Sequence, residues 1–416
     1  MFSHRLFKVL IVLIMASLLS MVQMVHATTF GSPIRISTNT GSSIWPSVAA
    51  SGGYVYVAWM DSTPVSGSGS QPEIWLRVSS NNGASFGSAT RISYNAYPSR
   101  NPSVACTGSY VYVAWEDDTP VSGSGGLLEI WLRVSSNHGA SFGSPIRISN
   151  NAYDSFYPSV AAYGSYVYVA WSDWTPVSGS DTASEIWLRV SSNYGASFGS
   201  PIRMSTNTGF SSWPSVAASG SYAYVAWHDA TPVSGSGSEP EIWLRVSSNN
   251  GVSFGSPIRI STNTYKSTYP SVAVSGIYVY VAWQDSTPVS GSGIDPEIWM
   301  RRSSNNGASF GSPIRITTNT GSSTMSSVSG SGSYVYVAWQ DNTPVSGSGG
   351  NHEIWLRVSS NNGASFGSPI RISYNTYVSA VPSVASSGGY VYVAWDDPTP
   401  VSGSGGSTEI WLRVGS

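Results

Sequence analysis

"YVYVAW", at Tyr54–Trp59, is apolar on both faces when read as an extended strand. Tyr54, Tyr56 and Ala58 point one way, and Val55, Val57 and Trp59 the other. Aromatic and β-branched residues favour a strand. A strand with two apolar faces has to be covered on both sides. The motif returns at a fixed step: the tryptophan of "VAW" falls at Trp59, Trp115, Trp171, Trp227, Trp283, Trp339 and Trp395, always 56 residues apart. The tryptophan of "EIW" keeps the same step from Trp75 to Trp411. Such a period marks a repeat architecture.

Each unit predicts four strands. In the first unit they are A, "PSVAAS" (Pro46–Ser51); B, "YVYVAW"; C, "EIWLRVS" (Glu73–Ser79); and D, "SATRIS" (Ser88–Ser93). Gly, Ser, Asn and Pro separate them, and no stretch has helical periodicity. Seven four-stranded antiparallel sheets packed face to face around an axis would cover both faces of every strand B, with the small residues of strand A nearest the axis. The fold class expected is therefore all-β, a seven-bladed β-propeller over residues 28–416. An open solenoid is the alternative, but it requires polar end caps, and no unit is atypical. "FGSPIRIS" (Phe30–Ser37) is a D strand without a unit of its own, and the last unit stops after strand C at Glu409–Ser416. Pairing these two segments would close the ring and remove an edge.

Residues 1–27 read as a secretory signal peptide: a basic start, the apolar run "VLIVLIMASLLSMV", and "VHA" ending at Ala27. A secreted or cell-surface protein follows, with no membrane insertion after cleavage. An uncleaved anchor is the alternative, although the run is short for a span. The single cysteine, Cys106, allows no intramolecular disulfide and reads as a small buried hydrophobe. A net charge of −2 with no basic face argues against nucleic acid as a partner. A monomer is the expected state.

"SSNNGASF" (Ser79–Phe86) resembles the Asp-box, or BNR, repeat of sialidase-like propellers. The pattern sits on Ser79, Asn81, Gly83, Ser85 and Phe86. It recurs around Asn137, Asn193, Asn249, Asn305 and Asn361, with Gly139, Gly195, Gly251, Gly307 and Gly363. Asparagine stands where the family has aspartate. The resemblance implies a structural turn between strands C and D, on the face opposite an active site. Locally, a short Asn side chain accepts backbone N–H bonds and the glycine supplies a positive φ.

The resemblance also implies, for a sialidase, an arginine triad, a Tyr/Glu nucleophile pair and an aspartate acid/base from different blades. The sequence departs from that pattern. "IRIS" recurs in nearly every unit and lacks the proline of the family's Arg-Ile-Pro signature, and classical sialidases have six blades. Fourteen of the 21 acids occupy the positions of Asp61 and Glu73 and their repeats, and fourteen arginines occupy those of Arg77 and Arg91. No catalytic residue is assigned. Asp61 and Glu73 flank the B–C loop and allow two readings. One is a Ca²⁺ site in each blade. The other, favoured because the loop has no dense run of oxygen ligands, is a turn cap at Asp61 and an arginine pair at Glu73. No cofactor is expected.

The units differ mainly in two loops, D–A and the end of B–C, which emerge on one face. The residue before strand A is Trp45, Asn101, Tyr157, Trp213, Tyr269, Met325 and Val381 in turn. These side chains are expected around the channel mouth, where aromatic rings stack on sugars or grip a peptide; plugging the channel or packing between blades is the other possibility. The function expected is a secreted non-catalytic propeller that binds a glycan or extracellular protein, for instance in adhesion. An exo-sialidase-type glycoside hydrolase and a purely structural surface protein are the alternatives.

Overall fold

A computed structural model describes residues 28–416 except positions 68, 122–125, 178–182, 207–208, 236–237, 290–294, 349 and 403–405. The expected signal peptide lies outside the described residues. Seven four-stranded antiparallel sheets form the blades of a propeller. In blade 1, strand A is Ser43–Ser51, B is Tyr54–Asp61, C is Glu73–Ser79 and D is Thr90–Arg91. Residues Ile34–Arg35 supply the outer strand of blade 7, with Ile34 opposite Leu412 and Arg35 opposite Trp411. The ring closes as the repeat pattern predicts.

Two strands differ from the sequence reading. Strand A is three residues longer at its start. Strand D holds two ladder residues where six were expected, because the backbone pivots after Arg91. The N–H groups of Ile92 and Ser93 then both point at the Ile74 carbonyl (2.7 and 3.4 Å), and the ladder stops. In most other units a proline at the start of strand D adds to this, since it brings no N–H.

Strand B is buried on both faces, as its composition requires. Val55, Val57 and Trp59 pack on Tyr392 and Ala394 of blade 7. Tyr56 and Ala58 pack on Val111, Val113 and Trp115 of blade 2. Two polar systems join the blades. Arg77 of strand C donates to the Ile36 carbonyl of the preceding blade (2.7 Å), and Arg133 and Arg413 repeat the contact on Ile92 and Ile372 (2.8 and 2.9 Å). At the axis, Ser47 Oγ accepts the Val104 N–H of the next blade at 3.0 Å. The pattern runs through Ser103, Ser159, Ser215, Ser271 and Ser327, and Ser383 completes the circle by accepting the Val48 N–H.

The repeated acids are internal. Glu73 is fully buried, paired with Arg91 and hydrogen-bonded to Ser93. Asp61 lies opposite Glu73 across the hairpin. It accepts from Thr63 N–H (2.7 Å), Ser43 Oγ–H (2.6 Å) and the Trp59 indole (3.2 Å). A bound cation would have to displace these donors. Asp61 thus caps the turn at Thr63 and Glu73 pairs with Arg91, whereas Arg77 serves a backbone carbonyl.

In the Asp-box turn, Asn81 Oδ1 accepts the Ser85 N–H (3.0 Å) and the Ser79 hydroxyl (2.8 Å), while its amide donates to Ser85 Oγ (2.9 Å). Ser79 Oγ in turn accepts the Gly83 N–H (3.0 Å). Gly83 has φ +79°, and a Cβ there would stand 2.9 Å from Val414 Cγ2 of the neighbouring blade. The glycine is needed for both conformation and room. The same hydrogen bonds recur at Asn137, Asn193, Asn249, Asn305 and Asn361.

Candidate functional site at the channel mouth

Every strand A contains one extra residue. In blade 1 the register shifts between Ile44 and Ser47, a β-bulge beside the axis. The bulge turns Trp45, Asn101, Tyr157, Trp213, Tyr269, Met325 and Val381 into the left-handed region, with φ from +49° to +57°. Large and β-branched residues rarely adopt it, and each such residue costs on the order of 1–3 kcal/mol. The surroundings hold it in place. Pro46 and its equivalents follow the bulge in six blades, and four of the bulge N–H groups are capped by a side chain of the preceding blade. Asp396 caps Trp45 (3.1 Å), Glu116 caps Tyr157 (2.9 Å), Gln284 caps Met325 (3.2 Å) and Gln340 caps Val381 (2.9 Å).

Sequence reasoning missed these caps. They occupy one slot of strand B, the residue before the repeated aspartate: Met60, Glu116, Ser172, His228, Gln284, Gln340 and Asp396. The signal was one variable column inside the otherwise near-constant "VAWxD".

The bulge aromatics meet instead of standing apart around an open ring. Trp213 stacks on Tyr157 (ring centroids 3.9 Å apart), meets Tyr269 edge-on (4.6 Å) and lies 6.0 Å from Trp45 of blade 1. Asn101 donates to Glu116 Oε1 (2.9 Å). A cavity of about 120 Å³ remains beneath, lined by Trp45, Asn101, Tyr157, Trp213 and the prolines that follow them. The mouth is a half-buried aromatic cluster.

Burial dominates the titration here. It pushes the Glu116 carboxyl upward. It also raises the Tyr157 hydroxyl, with the Glu116 charge adding to the effect. Burial, with Lys266 nearby, lowers His228 to about 3, so its imidazole is neutral. Burial raises Asp396 to about 7, against about 3.9 in an unfolded chain. The folded state therefore holds this proton more tightly. The stabilisation is fully present below about pH 4 and is lost as pH rises through about 7. Asp396→Asn keeps an acceptor for the Trp45 N–H and removes the charge. The variant should gain stability relative to the parent between pH 4 and 8, by on the order of a few kcal/mol. Thermal unfolding at pH 4, 6 and 8 reads it, and a pH-independent difference contradicts it.

The LVIVD-repeat profile matches residues 46–62, 158–175, 213–231, 270–287, 323–343 and 380–398. These stretches, less than half of the chain, fall on strands A and B of six blades. Among solved structures, the phage phi92 endosialidase matches at TM-score 0.51 and 11% identity, over 92% of this chain and 68% of that one. The Penicillium chrysogenum alpha-L-arabinanase in complex with arabinobiose matches at TM-score 0.50 and 14% identity, over 76% and 92%. The Trypanosoma rangeli sialidase matches at TM-score 0.49 and 10% identity over 94% of this chain, which spans 60% of that protein's length. No curated protein sequence matches. The fold is that of the sialidase- and arabinanase-like β-propellers. The chain is a seven-bladed β-propeller, and strands A and B of six of its blades match the LVIVD-repeat model.

Proposed function

We propose that the protein is a secreted or cell-surface propeller that binds a glycan or an extracellular protein at its channel mouth without chemical catalysis. One observation carries the reading. Seven residues, four of them aromatic, are held in an unfavourable backbone conformation at a position that varies between units beside the channel mouth. Residues kept in such conformations concentrate at functional sites, and aromatic rings supply contact area to sugars and peptides.

The charges support binding over hydrolysis. The repeated arginines lie on outer strands C and D, where those with described contacts hold glutamates or backbone carbonyls. The carboxyls at the mouth, Glu116 and Asp396, cap bulges. A hydrolase of sialidase type is the second reading, favoured by the fold alone. Glycan-array screening of the mature protein beside Trp45→Ala and Trp213→Ala variants tests the proposal. Binding that falls at least tenfold in the variants is expected. Binding indifferent to both changes, or turnover of a fluorogenic sialoside, overturns it.

A further inference from the structure

The B–C loop of every unit begins "D-x-T-P", and its threonine has three different fates. In blades 1, 4 and 6 the preceding D–A loop carries a glycine, and the glycine N–H bonds the threonine hydroxyl. These contacts are Gly41 to Thr63 (3.0 Å), Gly209 to Thr231 (3.0 Å) and Gly321 to Thr343 (3.2 Å). The fit is close, because a Cβ on Gly41 would stand 2.2 Å from the Thr63 nitrogen. In blade 7, where Tyr377 replaces the glycine, the Thr399 hydroxyl donates to Asp397. In blades 2, 3 and 5 the glycine is replaced by Tyr97, Tyr153 and Tyr265. There the hydroxyls of Thr119, Thr175 and Thr287 are buried with no partner among the described residues. The tyrosines turn outward and are 43–44% exposed.

Cavities stand at two of these three places. One of about 290 Å³ in blade 2 is lined by Asn95, Trp115, Asp117, Thr119 and Trp131. One of about 190 Å³ in blade 5 is lined by the equivalent Asn263, Trp283, Asp285, Thr287 and Trp299. Each also holds the buried indole N–H of Trp131 or Trp299, which has no partner among the described residues; this indole is unpaired in every blade, and only beside an unpaired threonine do two such donors meet in one cavity. A buried donor left unpaired is costly, so two in one apolar pocket call for a ligand that brings acceptors. The charged groups in the pocket are already engaged. Asp117 accepts from Asn95, Ser99, Thr119 and Trp115. Arg133 donates to the carbonyls of Ile92 and Gly143.

The geometry points to the rim pockets of blades 2 and 5 as binding sites for single neutral sugar residues. Each ring would lie against the paired tryptophans and accept hydrogen bonds from the threonine hydroxyl and the indole N–H. The cavity volumes sit at or below the roughly 300 Å³ lower end for ligand sites, which suits one ring and excludes an oligosaccharide. Engaged charges select a neutral ligand. Repeated sites on one rim suit a polymer of repeating units, where linkage raises avidity 10²–10⁴-fold without new contacts.

The site stands apart from the channel mouth, and one experiment separates the two. The mature protein is titrated calorimetrically with methyl glycosides of the common neutral hexoses, pentoses and N-acetylhexosamines. At least two sites per chain are expected on one of them. Trp131→Phe and, as a milder change, Thr119→Val should each remove one site and leave the blade 5 site at its parental affinity, while Trp213→Ala removes at most a site at the mouth and leaves both rim sites. A count of one or none, a count untouched by both blade 2 variants, or loss of all sites in Trp213→Ala overturns the inference. Any site that Trp213→Ala abolishes belongs to the channel mouth, so failure of the rim sites is read separately from failure of the mouth.

Discussion

A chain of residues 38–416 should fail to hold its fold at temperatures where residues 28–416 are stable. Without Arg35 and Ser37, the Glu409 carboxylate, which is fully buried, loses its counter-charge and a hydrogen-bond donor. Breaking one side of a buried pair costs about 3–5 kcal/mol. Ile36 is also fully buried, and losing a side chain of that size from a core costs about 2–5 kcal/mol. Together these approach the whole stability of an ordinary domain, about 5–15 kcal/mol. The truncation also uncovers strand C of blade 7 as an unpaired edge, a template for aggregation. Circular dichroism during heating, with size-exclusion chromatography, reads both effects. A peptide of residues 28–37 added in trans should restore part of the melting temperature. An unchanged melting curve would rule out ring closure by this segment.

The second large effect contrasts two tryptophans of blade 4. Trp227 is fully buried at the blade interface, and its indole donates to Asp229 (3.4 Å). Trp227→Ala should cost about 3–5 kcal/mol, the range for emptying a large aromatic site. Trp213 sits on the bulge at φ +55°. Trp213→Gly removes ring contacts worth about 0.5–1.5 kcal/mol each, but relieves a left-handed conformation costing on the order of 1–3 kcal/mol. The net change should lie near zero while ligand binding at the mouth is lost. Denaturant unfolding of both variants checks the pair. A Trp213→Gly variant as unstable as Trp227→Ala would make Trp213 a structural residue.

Why the fold was legible and the site only in part follows from the kinds of signal each leaves. The two apolar faces of "YVYVAW" leave few alternatives to a covered sheet, and the 56-residue step gives the number of blades. The unmatched D strand at Phe30–Ser37 announces the closure. The bulge left no composition signal, because a left-handed tryptophan looks like any other tryptophan in sequence. The expectation of aromatics around the mouth held for their location, but the distance from Trp45 to Trp213 across the axis depends on ring diameter and side-chain direction, which no single unit encodes. The strand-B caps were visible as a variable column, and Glu116 and Asp396 stand out there as departures from the repeated charge pattern. Their partner, a backbone N–H one blade away, was not visible, because only the bulge turns it toward them.

The segment that closes the ring reads "FGSPIRIS", and the same eight residues recur at Phe142–Ser149, Phe254–Ser261 and Phe366–Ser373. Blade 7 therefore has no chemical means of telling its own outer strand from one offered by another molecule. The choice rests on tethering: a strand on the same chain is present at a far higher local concentration than a strand on a neighbour. Crowding many copies together narrows that advantage, and exchange of this strand between molecules is then an open route to linked propellers, each ring completed by its neighbour.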